Sequence, residues 1–149
     1  GLASFEYLPS NAFKNKDYII TRTQEPIIVS GNTTIEEYSK NGTNMQMKIN
    51  NITEDTKIEL PYIYYLGYEI TYTNLNDNTK ENIKYTESEK GFIQIEVNQA
   101  SENICINVKY TGTMGMKITV IVSALGLLVM LFIAIRQKYL LYSEKYSKI

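Results

Sequence analysis

Ile118 to Ile135 (ITVIVSALGLLVMLFIAI) is a run of eighteen residues without a charge, in which the only polar side chains are Thr119 and Ser123. As an α-helix it rises about 27 Å, and Met116 and Gln137 stretch it towards the ~30 Å hydrocarbon core of a bilayer. A core helix of a soluble protein usually keeps a polar stripe, whereas this segment is apolar all round. The run therefore predicts a transmembrane helix, placed at 116–137, and makes a lipid bilayer the first partner of the chain.

The flanking charges set the expected orientation. Arg136, Lys138, Lys145 and Lys148 follow the run against Glu144 alone, while residues 1–116 hold ten basic and fifteen acidic side chains, with Lys117 at the boundary. Basic flanks are retained in the cytoplasm. The expectation is thus an extracytoplasmic domain over 1–115 and a basic cytoplasmic tail over 138–149, in a bacterial cell membrane. Tyr139 and Tyr142 of that tail, with Tyr146, suit the headgroup layer, where a ring packs in apolar surroundings and its hydroxyl stays wet. GLASFEYLPS has neither the basic nor the apolar region of a signal peptide. Delivery of the domain by earlier membrane spans upstream of Gly1 is the simplest expectation, and a signal peptide removed before Gly1 would leave the same sequence.

About 115 residues suffice for one compact domain. Its net negative charge repels anionic polymers at low salt, and no nucleic-acid partner is expected. Cys105 is the single cysteine and histidine is absent. An intramolecular disulfide is therefore impossible, and the usual general base and commonest metal ligand are missing. Glu36-Glu37 and Glu54-Asp55 are adjacent carboxylates, but neighbours on a strand point to opposite faces. Ser88, between Glu87 and Glu89, has no partner base in the sequence. No phosphate-binding glycine loop or metal-ligand spacing occurs. No catalytic residue, metal or cofactor is expected in this chain. Formal glycosylation sequons at Asn32, Asn41 and Asn51 are what so Asn-rich a composition produces by chance.

Period-two alternation dominates the region before the apolar run. Met45, Met47 and Ile49 alternate with Gln46, Lys48 and Asn50; Ile93, Ile95 and Val97 with Gln94 and Glu96; Ile104, Ile106, Val108 and Tyr110 with Cys105, Asn107 and Lys109. Such alternation marks half-buried strands. Shorter candidate strands are Tyr18–Arg22, Pro26–Ser30, Thr33–Ser39 and Asn82–Thr86, and no useful helical period is found. From Ile58 to Tyr72 every even position is apolar or aromatic. Pro61 cannot donate to a ladder and marks an edge or a break there, and Gly67 a turn or close backbone approach. With turn residues at Ser30–Asn32, Asn41-Gly42, Asn74–Asn78, Lys90-Gly91 and Asn98–Asn103, the pattern predicts a mainly β fold, an antiparallel jelly-roll-like β-sandwich followed by one C-terminal transmembrane helix.

Five of the thirteen tyrosines lie in Tyr62–Tyr72 (YIYYLGYEITY). Tyrosine suits glycans, because the ring face covers apolar C–H patches and the hydroxyl hydrogen-bonds. Tyr62, Tyr64, Tyr68 and Tyr72 share the register of Ile58 and Ile70 and are expected in the core. Tyr65 falls on the opposite face and is the candidate glycan contact. In the apolar run, Ser123, Ala124 and Gly126 form a small-residue patch without the GxxxG spacing, and lipid exposure is the default there.

The order of these pieces is more specific than any one of them. Glu6-Tyr7-Leu8-Pro9 precedes Glu59-Leu60-Pro61-Tyr62, which leads into Tyr65-Leu66-Gly67-Tyr68; Gly91-Phe92-Ile93 and Val108–Thr113 (VKYTGT) follow, and then the span. Over roughly residues 5 to 135 this resembles the C-terminal end of bacterial polytopic membrane proteins of the YfhO type, which are similar to GT-C glycosyltransferases. The resemblance implies a parent that transfers a lipid-linked sugar to a cell-envelope polymer such as teichoic acid. Its catalytic carboxylate would lie in an early extracytoplasmic loop outside this chain. The partners implied are the other transmembrane helices of that parent and a cell-envelope glycan. The chain departs from the family pattern in Tyr68, where many members have Trp, and in the long Asn-rich hairpin Asn74–Asn82. A rival from another class is a single-span surface module of adhesin or receptor type; an autonomous hydrolase lacks a base.

Overall fold

The computed structural model describes residues 8–98 and 100–146, the side chains of Ser101 and of residues 140–146 excepted. Glu6-Tyr7 and the side chain of Tyr142 therefore lie outside the described residues. The chain divides into two compact units, Gly1–Thr111 and Gly112–Ile149.

The first unit is an antiparallel β-sandwich preceded by two short helices, α1 (Ser10–Lys14) and α2 (Lys16–Thr21). Its strands are β1 (Ile27–Ser30), β2 (Thr34–Asn41), β3 (Asn44–Ile52), β4 (Thr56–Ile63), β5 (Tyr68–Asn74), β6 (Lys80–Asn82), β7 (Tyr85–Glu87), β8 (Phe92–Val97) and β9 (Ser101–Tyr110). One sheet has the order β1-β4-β8-β7 and the other β2-β3-β9-β5-β6. The alternation read in the sequence supplies their inner faces. Met45, Met47 and Ile49 of β3 and Ile104, Ile106 and Val108 of β9 meet Ile58 and Leu60 of β4 and Ile93, Ile95 and Val97 of β8 in one buried cluster. Burying each such side chain contributes roughly 1.5–3 kcal/mol, so this core is what fixes the two-sheet arrangement.

Three local expectations need correction. Asn82–Thr86 is not one strand: Asn82 ends β6 in one sheet and Tyr85 opens β7 in the other, with Ile83 and Lys84 as the crossing between them. Tyr18–Arg22 is not a strand: it lies in α2 and its cap. Ala12, Asn15, Tyr18, Ile19 and Arg22 recur at helical spacing and form the less exposed side of the α1–α2 hairpin. The break in Ile58–Tyr72 also falls after Ile63 rather than at Pro61. Pro61 sits inside β4, where the β4–β8 register slips between Glu59 and Ile63 and where β1 has paired no further than Glu59. Its missing N–H therefore interrupts no ladder bond. Gly67 does make a turn, between β4 and β5, with a φ of +106° that only glycine adopts at little cost.

The second unit is one helix, α3 (Met114–Tyr146). The Thr113 hydroxyl accepts from the Met116 N–H at 3.3 Å, an N-cap contact that satisfies an otherwise orphaned donor. Among the described residues α3 contains the one helix long and apolar enough to cross a membrane, Met114–Tyr139, and its most apolar stretch is nowhere buried by protein. Thr119 donates its hydroxyl to the Gly115 carbonyl at 2.9 Å, so this polar group needs no partner outside the helix. Lys117 lies in the first turn, and Arg136, Lys138 and Tyr139 near the far end of the apolar stretch; the helix then continues through residues placed in the tail by sequence.

Candidate functional site

Six of the thirteen tyrosines gather at one end of the sandwich. β4 delivers Tyr62, the following turn carries Tyr64 and Tyr65, β5 opens with Tyr68, and β9 closes with Tyr110 opposite Tyr68. Ring centroids are 5.3 Å apart for Tyr62–Tyr68, 5.1 Å for Tyr68–Tyr110 and 5.8 Å for Tyr64–Tyr85. Tyr85 reaches in from β7: its hydroxyl accepts from the Tyr68 N–H and donates to the Tyr65 carbonyl, each at 3.3 Å. Six tyrosines are thus joined by ring contacts and two hydrogen bonds.

Burial grades across this cluster. Tyr62 is 7% exposed, Tyr64 and Tyr68 are half-buried against the core, and Tyr65 is 42% exposed. Burial pushes the Tyr62 phenol up to about 12, with smaller contributions from Tyr68 and Tyr38, and burial raises Tyr68 as well. Lys40 stands with its ammonium 4.9 Å from the Tyr62 ring centroid and donates to Gln24 Oε1 at 2.6 Å and to the Pro61 carbonyl at 3.2 Å. Burial, and then the charge of Arg22, lower its pKa. Thr111 donates its N–H to the Gly67 carbonyl at 2.8 Å, pinning the turn beside the strand that leads on to α3. The cluster offers ring faces and hydroxyls, which bind, and no nucleophile with an adjacent base, which would react. Tyr72, in the core register, also packs half-buried against the core.

A second constellation escaped sequence reasoning. Glu59 belongs to the outward face of β4 and yet is 4% exposed, because the α1–α2 hairpin covers it. Its Oε1 accepts from Arg22 Nε and from the Tyr18 hydroxyl, both at 3.0 Å, and its Oε2 from the Ser88 hydroxyl at 2.7 Å. The Arg22 guanidinium also donates to the carbonyls of Thr23, Glu25 and Glu59 and lies 4.6 Å from the Phe92 ring centroid. Ser88 therefore has a carboxylate partner. That carboxylate is already committed to Arg22 and Tyr18 in an enclosed site, so it acts as a fastening and not as a base. The helical spacing of Tyr18 and Arg22 was the available signal.

Cys105 is buried, with Gln46 Nε2 3.2 Å from its sulfur. Among the described residues no group of three His, Cys, Asp or Glu could hold a metal ion. No protein-family model matches the chain, and neither does any curated protein or solved structure.

Proposed function

We propose that this chain is an extracytoplasmic accessory domain with the last membrane span of a bacterial polytopic protein of the YfhO type, a lipid-linked-sugar-dependent glycosyltransferase. The sandwich orients the acceptor glycan of the cell envelope, and Tyr65 contacts it. The tail of the span faces the cytoplasm, as the basic flank Arg136 and Lys138 requires. The observation that carries this reading is the tyrosine cluster at the end of the sandwich where β9 leads on to α3. The packing of Ala12 against Gly91, whose carbonyl accepts from the Tyr64 N–H, supports it: the incoming and outgoing chain segments share one end of the sandwich. A domain inserted between two spans needs that arrangement.

The test is Tyr65→Ala in the full chain, titrated with wall teichoic acid or peptidoglycan fragments. Loss of one aromatic stacking contact of about 1 kcal/mol weakens binding roughly fivefold with an unchanged melting curve. Undiminished binding by the folded variant removes Tyr65 from the site. A single-span surface module of adhesin or receptor type is the second reading, and a sandwich followed by one membrane-spanning candidate fits it equally. Further apolar spans encoded upstream of Gly1 decide for the transferase reading, and a signal peptide there for the surface module.

A further inference from the structure

We infer that the turn between β4 and β5 is a lipid-contacting foot, with Leu66 seated in the interfacial layer of the bilayer that α3 enters. Leu66 stands at the tip of this turn with 65% of its surface exposed, beside Tyr65 at 42%. The segment Tyr62–Tyr68 (YIYYLGY) carries no charge. An uncharged tip that combines tyrosine with an exposed aliphatic side chain is the composition of a membrane interface, where rings lie at headgroup depth and aliphatic groups reach the acyl chains.

Covalent reach selects the bilayer over a soluble occupant. Thr111 is bonded to the Gly67 carbonyl through its N–H at 2.8 Å and its hydroxyl at 3.4 Å. Three peptide links, at most about 11 Å of chain, separate Thr111 from Met114, the first residue of α3. The headgroup layer on each side of the hydrocarbon core is itself ~5–8 Å deep, so the turn is tethered within reach of it. The other end of β5, about 20 Å away along the strand, is different. Leu75 is also exposed there, at 44%, but it is framed by Asn74, Asn76, Asp77 and Asn78.

The chain contains no tryptophan, so one introduced indole reports its own surroundings alone. Leu66→Trp and Leu75→Trp are made in the full chain, each reconstituted into phosphatidylcholine vesicles with and without lipid brominated near the top of the acyl chains. The indole at position 66 is expected to emit to the blue of that at 75 and to lose intensity to bromine, while the one at 75 emits as in water and is unaffected. Equal water-like emission from both, or equal quenching of both, overturns the inference. The unaltered chain gives a reading that needs no variant. A phosphatidylcholine carrying a photoactivatable group at headgroup level should label the peptide containing Leu66 and not the one containing Leu75; equal or reversed labelling overturns it too. The inference needs the membrane span and not the glycan reading. A dry indole with no Tyr65-dependent glycan binding removes the proposed function alone, and a wet indole with that binding intact removes the lipid contact alone.

Discussion

Tyr62 places its hydroxyl in the core without a hydrogen-bond partner among the described residues. A phenol left unsatisfied gains nothing from its oxygen, so Tyr62→Phe is expected to leave the fold as stable or to stabilise it by up to about 1 kcal/mol in urea melts. The same burial makes the domain alkali-sensitive. Tyr62 titrates near 12 when folded against an ordinary 10.0, so the fold favours the neutral phenol. Its contribution is complete below about pH 10 and is lost as pH rises through about 12. Tyr62→Phe should therefore blunt the fall of stability between pH 10 and 12, read as melting temperature against pH. Glu59 is the opposite case, a buried charge with every partner in place. Removing one half of such a pair costs about 3–5 kcal/mol, so Arg22→Ala and Glu59→Gln should both be strongly destabilising in denaturant melts. Replacing both with aliphatic residues should recover much of the loss.

At the scale of elements, the α1–α2 hairpin is held by contact rather than by propensity, since helices of five and six residues are not stable alone. Gly91 lets it approach. A Cβ there would stand 2.3 Å from the Ala12 nitrogen and 2.5 Å from its Cα, on a backbone with φ +84°. Gly91→Ala should lift the hairpin off the sheet and speed tryptic cleavage after Lys14 and Lys16, with the sandwich core left resistant. These elements also show what the sequence could disclose. β3, β8 and β9 were legible because one face of each is dry and the other wet, which writes period two directly into the residues. The exposure of Tyr65 followed from the same parity. The hairpin left only a faint signal, the helical spacing of Ala12, Asn15, Tyr18 and Arg22, because helices of five and six residues carry little periodicity and its stability comes from Glu59 and Gly91, far along the chain. Burial on the outward face of β4 was hidden for the same reason. Tyr85 and Tyr110 could not be assigned to the tyrosine cluster in advance, since only the pairing of β5 with β9 and the reach of the Tyr85 hydroxyl bring them there.

The whole molecule couples a sandwich with unlike ends to a membrane-spanning candidate. The turns around Asn32, Thr53 and Asn76 crowd one end with amides and hydroxyls, and the cluster of six tyrosines occupies the other. With the basic flank Arg136 and Lys138 retained inside, protease added outside right-side-out vesicles should digest the chain before Met114 and spare the segment that carries those two residues. Sparing of the sandwich instead would reverse the topology. β9 lies in the middle of the five-stranded sheet, hydrogen-bonded to β3 on one side and β5 on the other, and it is the last strand to be synthesised. Until it emerges, β2-β3 and β5-β6 are separate hairpins with open edges that invite mispairing. Closure of the sheet must therefore wait for the stretch of chain just ahead of α3, which ties the maturation of the domain in time to the emergence of the apolar helix that follows it.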